Sequence, residues 1–307
     1  MSSPKNILIA GGGVAGPAVA LFLSRLGHKC TIVERAPDFR SSGQQIDLAG
    51  EGITVAEALG ILEDVKARTV HDDGIRFVER DNKIIAEFPV SQGGLNLVRE
   101  IEIMRSDLAQ LLYDRTRDKV DYVFNEQIAE LRQTEQSVMV KFANSNDEKE
   151  FDVVIAADGL RSKTRRLAFP SSNTNIVSLN QYAGYFSIPW AETDDTWSRA
   201  YNATHGRVLC LRPNKKAGTT GAYLAQVTKD SGRFAEMTTE EAKQDVIGIF
   251  KDADWKEMDR ILKVLESPTD EGFYLSESAQ AKSESLANGR VALLGDAGYC
   301  MSCHDVS

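Results

Sequence analysis

A run of glycines near the start constrains this chain more than any other feature. Lys5 to Ala10 is a short apolar run that ends in Gly11-Gly12-Gly13-Val14-Ala15-Gly16. Ala15 to Leu26 is rich in Ala and Leu, reads as a helix and stops at Gly27. Cys30 to Val33 is a second apolar run and ends at Glu34. Strand, glycine turn, helix and strand within ~30 residues make a βαβ unit. In that setting Gly11 permits the tight turn, Gly13 lets the backbone approach a pyrophosphate, and Gly16 lets the helix pack close to the strand. The helix opens at Val14 and Ala15, and its N-terminus offers free N–H groups and a positive dipole end to phosphates. Glu34, at the end of the second strand, can accept hydrogen bonds from ribose hydroxyls. A carboxylate there fits an adenosine with a free 2′-hydroxyl, hence NAD or FAD, and disfavours a 2′-phosphate. Arg35 can lie along the adenine or stand as a solvated charge.

Two further apolar runs end in acidic motifs. Asp152 to Ala156 stops before Asp158-Gly159-Leu160-Arg161-Ser162, and Gly289 to Leu294 delivers Gly295-Asp296-Ala297. Each Asp can meet a ligand at the carboxyl edge of a sheet, or cap a following helix. Helical spacing marks Thr54 to Ala67 and Met104 to Arg115, the latter with Ser106 as its N-cap. Tyr122 to Phe124, Ile128 to Leu131 and Val138 to Phe142 read as strands, and the polar residues 170–178 as a connection. From Gln181 to about Val227 the pattern is strand-like again. Thr238-Thr239-Glu240-Glu241 is a capping box for a helix ending near Phe250, and a helix follows from Trp255 to Leu265.

The rest of the composition excludes other classes. With 307 residues, 42% hydrophobic and 26% charged, the chain is long enough for about two domains and too apolar for disorder. A net charge of −9 without a basic block argues against nucleic acid. The longest apolar stretch, Pro17 to Leu23, is far short of the roughly 20 residues of a membrane span, which predicts no stable membrane insertion. The N-terminus lacks signal-peptide architecture, and four cysteines in a long chain fit a reducing compartment, so a cytoplasmic location is expected. Cys300-Met301-Ser302-Cys303-His304 spells a haem-attachment pattern, better read as a chance match in a tail. His28, His71, His205 and His304 form no recognisable constellation, and no metal site is expected.

The glycine motif at 11–16, the Asp-Gly at 158–159 and the Gly-Asp at 295–296, in this order and spacing, resemble the FAD-dependent aromatic hydroxylases. These are single-component monooxygenases of the para-hydroxybenzoate hydroxylase and tetracycline-inactivating type. The stretch Gly295-Asp296-Ala297-Gly298-Tyr299-Cys300 is most similar to fungal secondary-metabolite members. The resemblance implies a Rossmann-like FAD-binding domain of the GR2 type, from 1–78, 98–170 and 278–307, and a mixed β-sheet substrate domain from 79–97 and 171–277. It implies FAD as cofactor, NADPH or NADH as reductant, and O₂. An aromatic or polycyclic small molecule would be hydroxylated through a flavin hydroperoxide.

By position it assigns Glu34 to the FAD ribose, Gly43 to Asp47, with Gln44 and Gln45, to the loop passing the flavin, and Arg105 to an FAD contact. Asp296 would meet the ribityl or pyrophosphate region, Asp158 and Arg161 both nucleotides, and Arg40 loosely the nicotinamide nucleotide. The aromatics Tyr182, Tyr185, Phe186, Trp190 and Tyr201 are either pocket lining or core. In the family the Gly-Asp motif runs on into a proline, a glycine turn and long helices. Here Cys300 is followed by Met301 to Ser307, so an FAD domain incomplete at its C-terminus is expected. A flavin oxidoreductase without oxygen insertion and a non-catalytic, weakly binding remnant are the alternatives.

Overall fold

The computed structural model describes residues 3–38, 44–70, 72–90, 101–229, 234, 237–267 and 272–300. The chain opens with β1 (Asn6–Ala10), α1 (Ala15–Arg25), β2 (Lys29–Glu34) and β3 (Gln45–Asp47). Next come α2 (Glu51–Leu59), α3 (Leu62–Ala67), β4 (Gly74–Val78), β5 (Ile84–Pro89), β6 (Glu102–Met104) and α4 (Arg105–Thr116). Strands β7 (Asp121–Phe124), β8 (Ile128–Gln133), β9 (Val138–Phe142), β10 (Glu148–Phe151) and β11 (Val153–Ala156) precede α5 (Lys163–Ala168). The second half holds β12 (Thr174–Pro189), β13 (Trp197–Ala203), β14 (Arg207–Asn214), β15 (Thr219–Val227), α6 (Thr239–Phe250) and α7 (Met258–Leu265). It closes with β16 (Tyr274–Ser283), β17 (Ala287–Asn288), β18 (Val291–Leu293) and β19 (Tyr299–Cys300).

Two sheets organise these elements. The first has the order β17-β18-β11-β1-β2-β7, parallel except for the β17 edge. Its central strands are buried on both faces, as a parallel sheet requires, so Ile7, Leu8, Ile9 and Ile32 carry no polar alternation. The second has the order β19-β16-β12-β15-β14-β13-β4-β5, antiparallel except for β13 against β4. One face of it packs on α6 and α7, where Leu209, Leu211 and Leu224 meet Val246, Phe250, Trp255 and Ile261. A three-stranded sheet, β10-β9-β8, and the short pair β3-β6 complete the fold. The architecture is a Rossmann-like α/β region with a mixed sheet beside it.

Several local expectations change. Thr54 to Ala67 is two helices, because Gly60 adopts a left-handed conformation (φ +67°) and caps α2 with its N–H on Glu57 O at 2.8 Å. The start of α4 is at Arg105, with Met104 extended before it, so Ser106 lies inside the first turn and is not the N-cap. The polar residues after 173 do not form a connection. They begin the long strand β12, whose pairing with β16 is continuous but for a register shift between Ser178 and Gln181. Polar residues can occupy that half because its side chains are largely exposed. Strand β4 lies before the expected boundary at 78, and the residues of β16 from 278 lie after the one at 277, yet both strands pair within the eight-stranded sheet. The helix at Trp255 begins only at Met258. Gly43, Arg40, His71, Cys303 and His304 lie outside the described residues.

Candidate cofactor and substrate site

The carboxyl ends of β1, β2, β11 and β18 converge on one edge of the parallel sheet. Gly11 leaves β1 with φ +112°, and its N–H donates to Val33 O at 2.8 Å. A Cβ there would stand 2.3 Å from Ala157 O, and one on Gly16 would stand 2.0 Å from Gly11 O. Both glycines are therefore demanded by packing of the turn itself. Gly13 differs. A Cβ on it would meet nothing nearer than Arg105 Nη2 at 4.0 Å. The backbone at Gly13 thus borders open space, bounded across the gap by a guanidinium and adjoining the first residues of α1. Open space between a helix N-terminus and a cation fits a phosphate, so the residues present fit the pyrophosphate of a dinucleotide.

The other expected site residues distribute around this gap. Glu34 sits at the end of β2, where Oε2 accepts from Gly12 N at 2.8 Å and Oε1 accepts from Ala36 N at 2.9 Å. It is half-buried, with one oxygen tied to the glycine turn and the other to the backbone two residues on. Val14 and Ala15 form the first turn of α1, and Gly295 packs against Ala15 (3.2 Å from a Cβ to Ala15 Cβ), which brings the exposed Asp296 beside the same helix start. Arg105 is exposed at the first position of α4, its N–H donating to Gln44 O at 3.0 Å. Arg35 and Asp47 are exposed.

Asp158 is engaged within its own loop. It accepts from Thr164 N at 3.0 Å and Thr164 Oγ1 at 2.9 Å, and also from the Ser162 hydroxyl. Its carboxylate thus supports the first turn of α5, whose N-cap is Ser162, with Oγ accepting from Arg165 N at 2.9 Å. Arg161 pairs with Glu277 of β16 at 2.7 Å.

A cleft lies beside β3 on the open face of the large sheet, lined among others by Gln45, Met104, Tyr185, Arg212, Tyr223 and Tyr274. Three tyrosines form one layer in it. Tyr185 stacks on Tyr274 at 5.0 Å and meets Tyr223 edge-on at 5.0 Å. Two of their hydroxyls hold the start of β3: Tyr274 accepts from Gln44 N and Tyr223 from Gln45 N, each at 3.1 Å. Burial pushes both phenols up, so they stay protonated at neutral pH. Gln44 Oε1 is buried with no hydrogen-bond partner among the described residues, an acceptor left for a group that enters here.

Beneath the tyrosines, Arg212 Nη2 donates to Asp72 Oδ2 at 2.9 Å and to Glu102, and Nε donates to Ser198 Oγ at 3.3 Å. Burial raises the Glu102 carboxyl to about 7 despite the opposing pull of Arg212, with Asp72 and Asp47 adding to the rise.

A family model for the FAD binding domain matches residues 5–304. The chain belongs to the FAD-dependent monooxygenases. A flavin-dependent monooxygenase, eupH, from a Phoma species is 34% identical over 98% of this chain and 72% of its own length. A flavin-dependent monooxygenase from Legionella longbeachae is 30% identical over 98% of this chain and 76% of its own. Among solved structures, tetracycline destructase Tet(51) superposes with a TM-score of 0.84 at 29% identity, covering 99% of this chain and 77% of that one. The chain is thus an oxidoreductase of the FAD-binding kind. Among the described residues no helix is long and apolar enough to cross a membrane, and no cluster of His, Cys, Asp and Glu could hold a metal.

The sequence reading missed Tyr223, Tyr274, Arg212, Glu102 and Asp72. Two of them left a signal: Arg212 directly follows the apolar run Val208 to Leu211, and Glu102 stands between Ile101 and Ile103. A charge inside a buried strand pattern needs a partner, and these two are each other's. Of the aromatics weighed as lining or core, Tyr185 and Phe186 line the cleft. Tyr182 is fully buried with its hydroxyl on Gln226, and Tyr201 stacks on Trp255.

Proposed function

We propose that this chain is an NAD(P)H-dependent hydroxylase of an aromatic or polycyclic small molecule. The observation that carries the reading is the open gap between Gly13 and Arg105, set at one end of β3 from a tyrosine-lined cleft. Bound FAD would supply the chemistry of hydride acceptance from the nicotinamide and of O₂ activation. The net change is substrate C–H, O₂, NAD(P)H and a proton going to C–OH, NAD(P)⁺ and water. Gly11 to Gly16 and Arg105 hold the pyrophosphate, Glu34 the ribose, with Arg35 beside the adenine. Gln45 and Asp47 lie along the flavin, and Asp296 lies at the ribityl end. Asp158 supports the site from its loop. Tyr185 and Tyr274, stacked, and Tyr223, edge-on to them, offer ring faces and edges that orient an aromatic ring and exclude water.

The likeness of Gly295 to Cys300 to fungal secondary-metabolite members favours a place in secondary metabolism. The parallel sheet and its edge form the FAD-binding unit, and the eight-stranded sheet with α6 and α7 forms the substrate unit. The test supplies FAD, NADPH or NADH and ¹⁸O₂ with a panel of polycyclic phenols and ketones. A product heavier by one ¹⁸O supports hydroxylation. Oxidised product without ¹⁸O would replace it with a flavin oxidoreductase.

A further inference from the structure

Arg212 is clamped from behind. Its Nη2 is shared by Asp72 and Glu102, and its Nε is held by Ser198 Oγ. The side chain is only 15% exposed, and both carboxylates are buried. Nη1 donates to no acceptor among the described residues, and Arg212 lines the cleft. The guanidinium carbon also sits 5.9 Å from the centre of the Tyr223 ring. A fixed N–H donor therefore faces the same space as the tyrosine layer. Among the described residues Arg212 is the one charged group lining that cleft.

The charge balance decides what such a donor accepts. One guanidinium with two carboxylates is net negative when both are ionised and neutral when they share one proton. It is net positive only when both carboxyls are protonated. A carboxylate ligand would find a hydrogen-bond donor but no net attraction, and it would have to shed its hydration to reach it. A neutral carbonyl or phenolic oxygen loses little on entry and gains a preorganised bond. We infer that Arg212, anchored by Asp72, Glu102 and Ser198, is the specificity residue of the cleft, and that it selects flat aromatic substrates carrying a neutral carbonyl or hydroxyl oxygen over aromatic acids. This rests on the reading of the cleft as the substrate site.

The test is calorimetric titration of the full chain, with and without FAD, using 2-acetylnaphthalene and 2-naphthoate. They share a ring system and differ in the charge of the attached group. The ketone binds at least about tenfold more tightly, the scale of one hydrogen bond with an ionised donor. Arg212→Lys keeps the charge but cannot reach both carboxylates and the cleft, and it abolishes the preference. Should that variant fail to fold, the double variant Asp72→Asn with Glu102→Gln carries the test. It leaves Arg212 net positive, and naphthoate affinity rises about tenfold. Equal or tighter naphthoate binding by the unaltered chain overturns the inference, as does binding of neither probe or an unchanged naphthoate affinity in the double variant. A chain that retains FAD but shows no ketone preference sinks this inference alone. One that shows the preference but holds no FAD sinks the proposed function alone.

Discussion

Two alanine substitutions in the glycine turn separate folding from cofactor binding. Gly16→Ala places a methyl 2.0 Å from Gly11 O and 3.3 Å from Ile9 Cγ2. That is roughly 1.4 Å short of ordinary contact with the oxygen, so α1 must lift from β1, and overpacking of this kind costs about 1–3 kcal/mol or more. Gly13→Ala places its methyl in open space, and Gly13 has no positive φ for a side chain to strain. The cofactor-free chain should be unchanged or stabilised by up to about 1 kcal/mol through reduced freedom of the unfolded chain. The same methyl, however, stands where a phosphate would approach the backbone. Losing one or two charge-assisted N–H bonds costs about 1.5–3 kcal/mol each, and one such loss weakens the FAD Kd by about 10- to 150-fold. The assays are thermal melting without FAD and quenching of flavin fluorescence on titration. The reasoning fails if Gly13→Ala binds FAD as tightly as the unaltered chain, or if it melts as early as Gly16→Ala.

Other perturbations follow from single groups. Asp158→Asn removes the charge that Thr164 and Ser162 surround and should lower stability by about 1–3 kcal/mol, read by urea unfolding; no loss would show that the loop does not depend on the carboxylate. Glu102 holds its proton to about 7 in the folded chain against 4.5 ordinarily. Its contribution to stability is therefore full below 4.5 and is lost as pH rises through 7. Glu102→Gln should flatten the melting temperature across that window, and an unchanged slope would assign the titration elsewhere. Thr238 caps α6, accepting from Glu241 N while Glu241 accepts from Thr238 N at 2.8 Å. Thr238→Ala should cost about 1 kcal/mol, measurable by chemical denaturation.

The parallel sheet was legible because its signals are local. A glycine turn, a strand-end acid and an uninterrupted apolar run each lie within a few residues, and the pairing of β1 with β2 and β11 follows from burial on both faces. The large sheet was only partly legible. Strands β4 and β16 are far apart in sequence, and their membership depends on partners such as β13 and β12 that no local pattern names. The site divides the same way. The placement of Glu34 and Gly13 at the glycine turn follows from local spacing, whereas the hydroxyls of Tyr223 and Tyr274 have their partners only because the fold carries Gln44 and Gln45 to them. Asp158 is a residue whose partners spacing does not name: its carboxylate accepts from the Ser162 hydroxyl and from the amide and hydroxyl of Thr164 in α5.

The most direct measurement of the central claim is the visible absorption spectrum of the purified 307-residue chain after incubation with FAD and desalting. A flavin band retained near one equivalent, and lost in Gly13→Ala at unchanged melting temperature, is the predicted result. A folded but colourless chain would contradict the assignment of the Gly13–Arg105 gap as the cofactor's phosphate site.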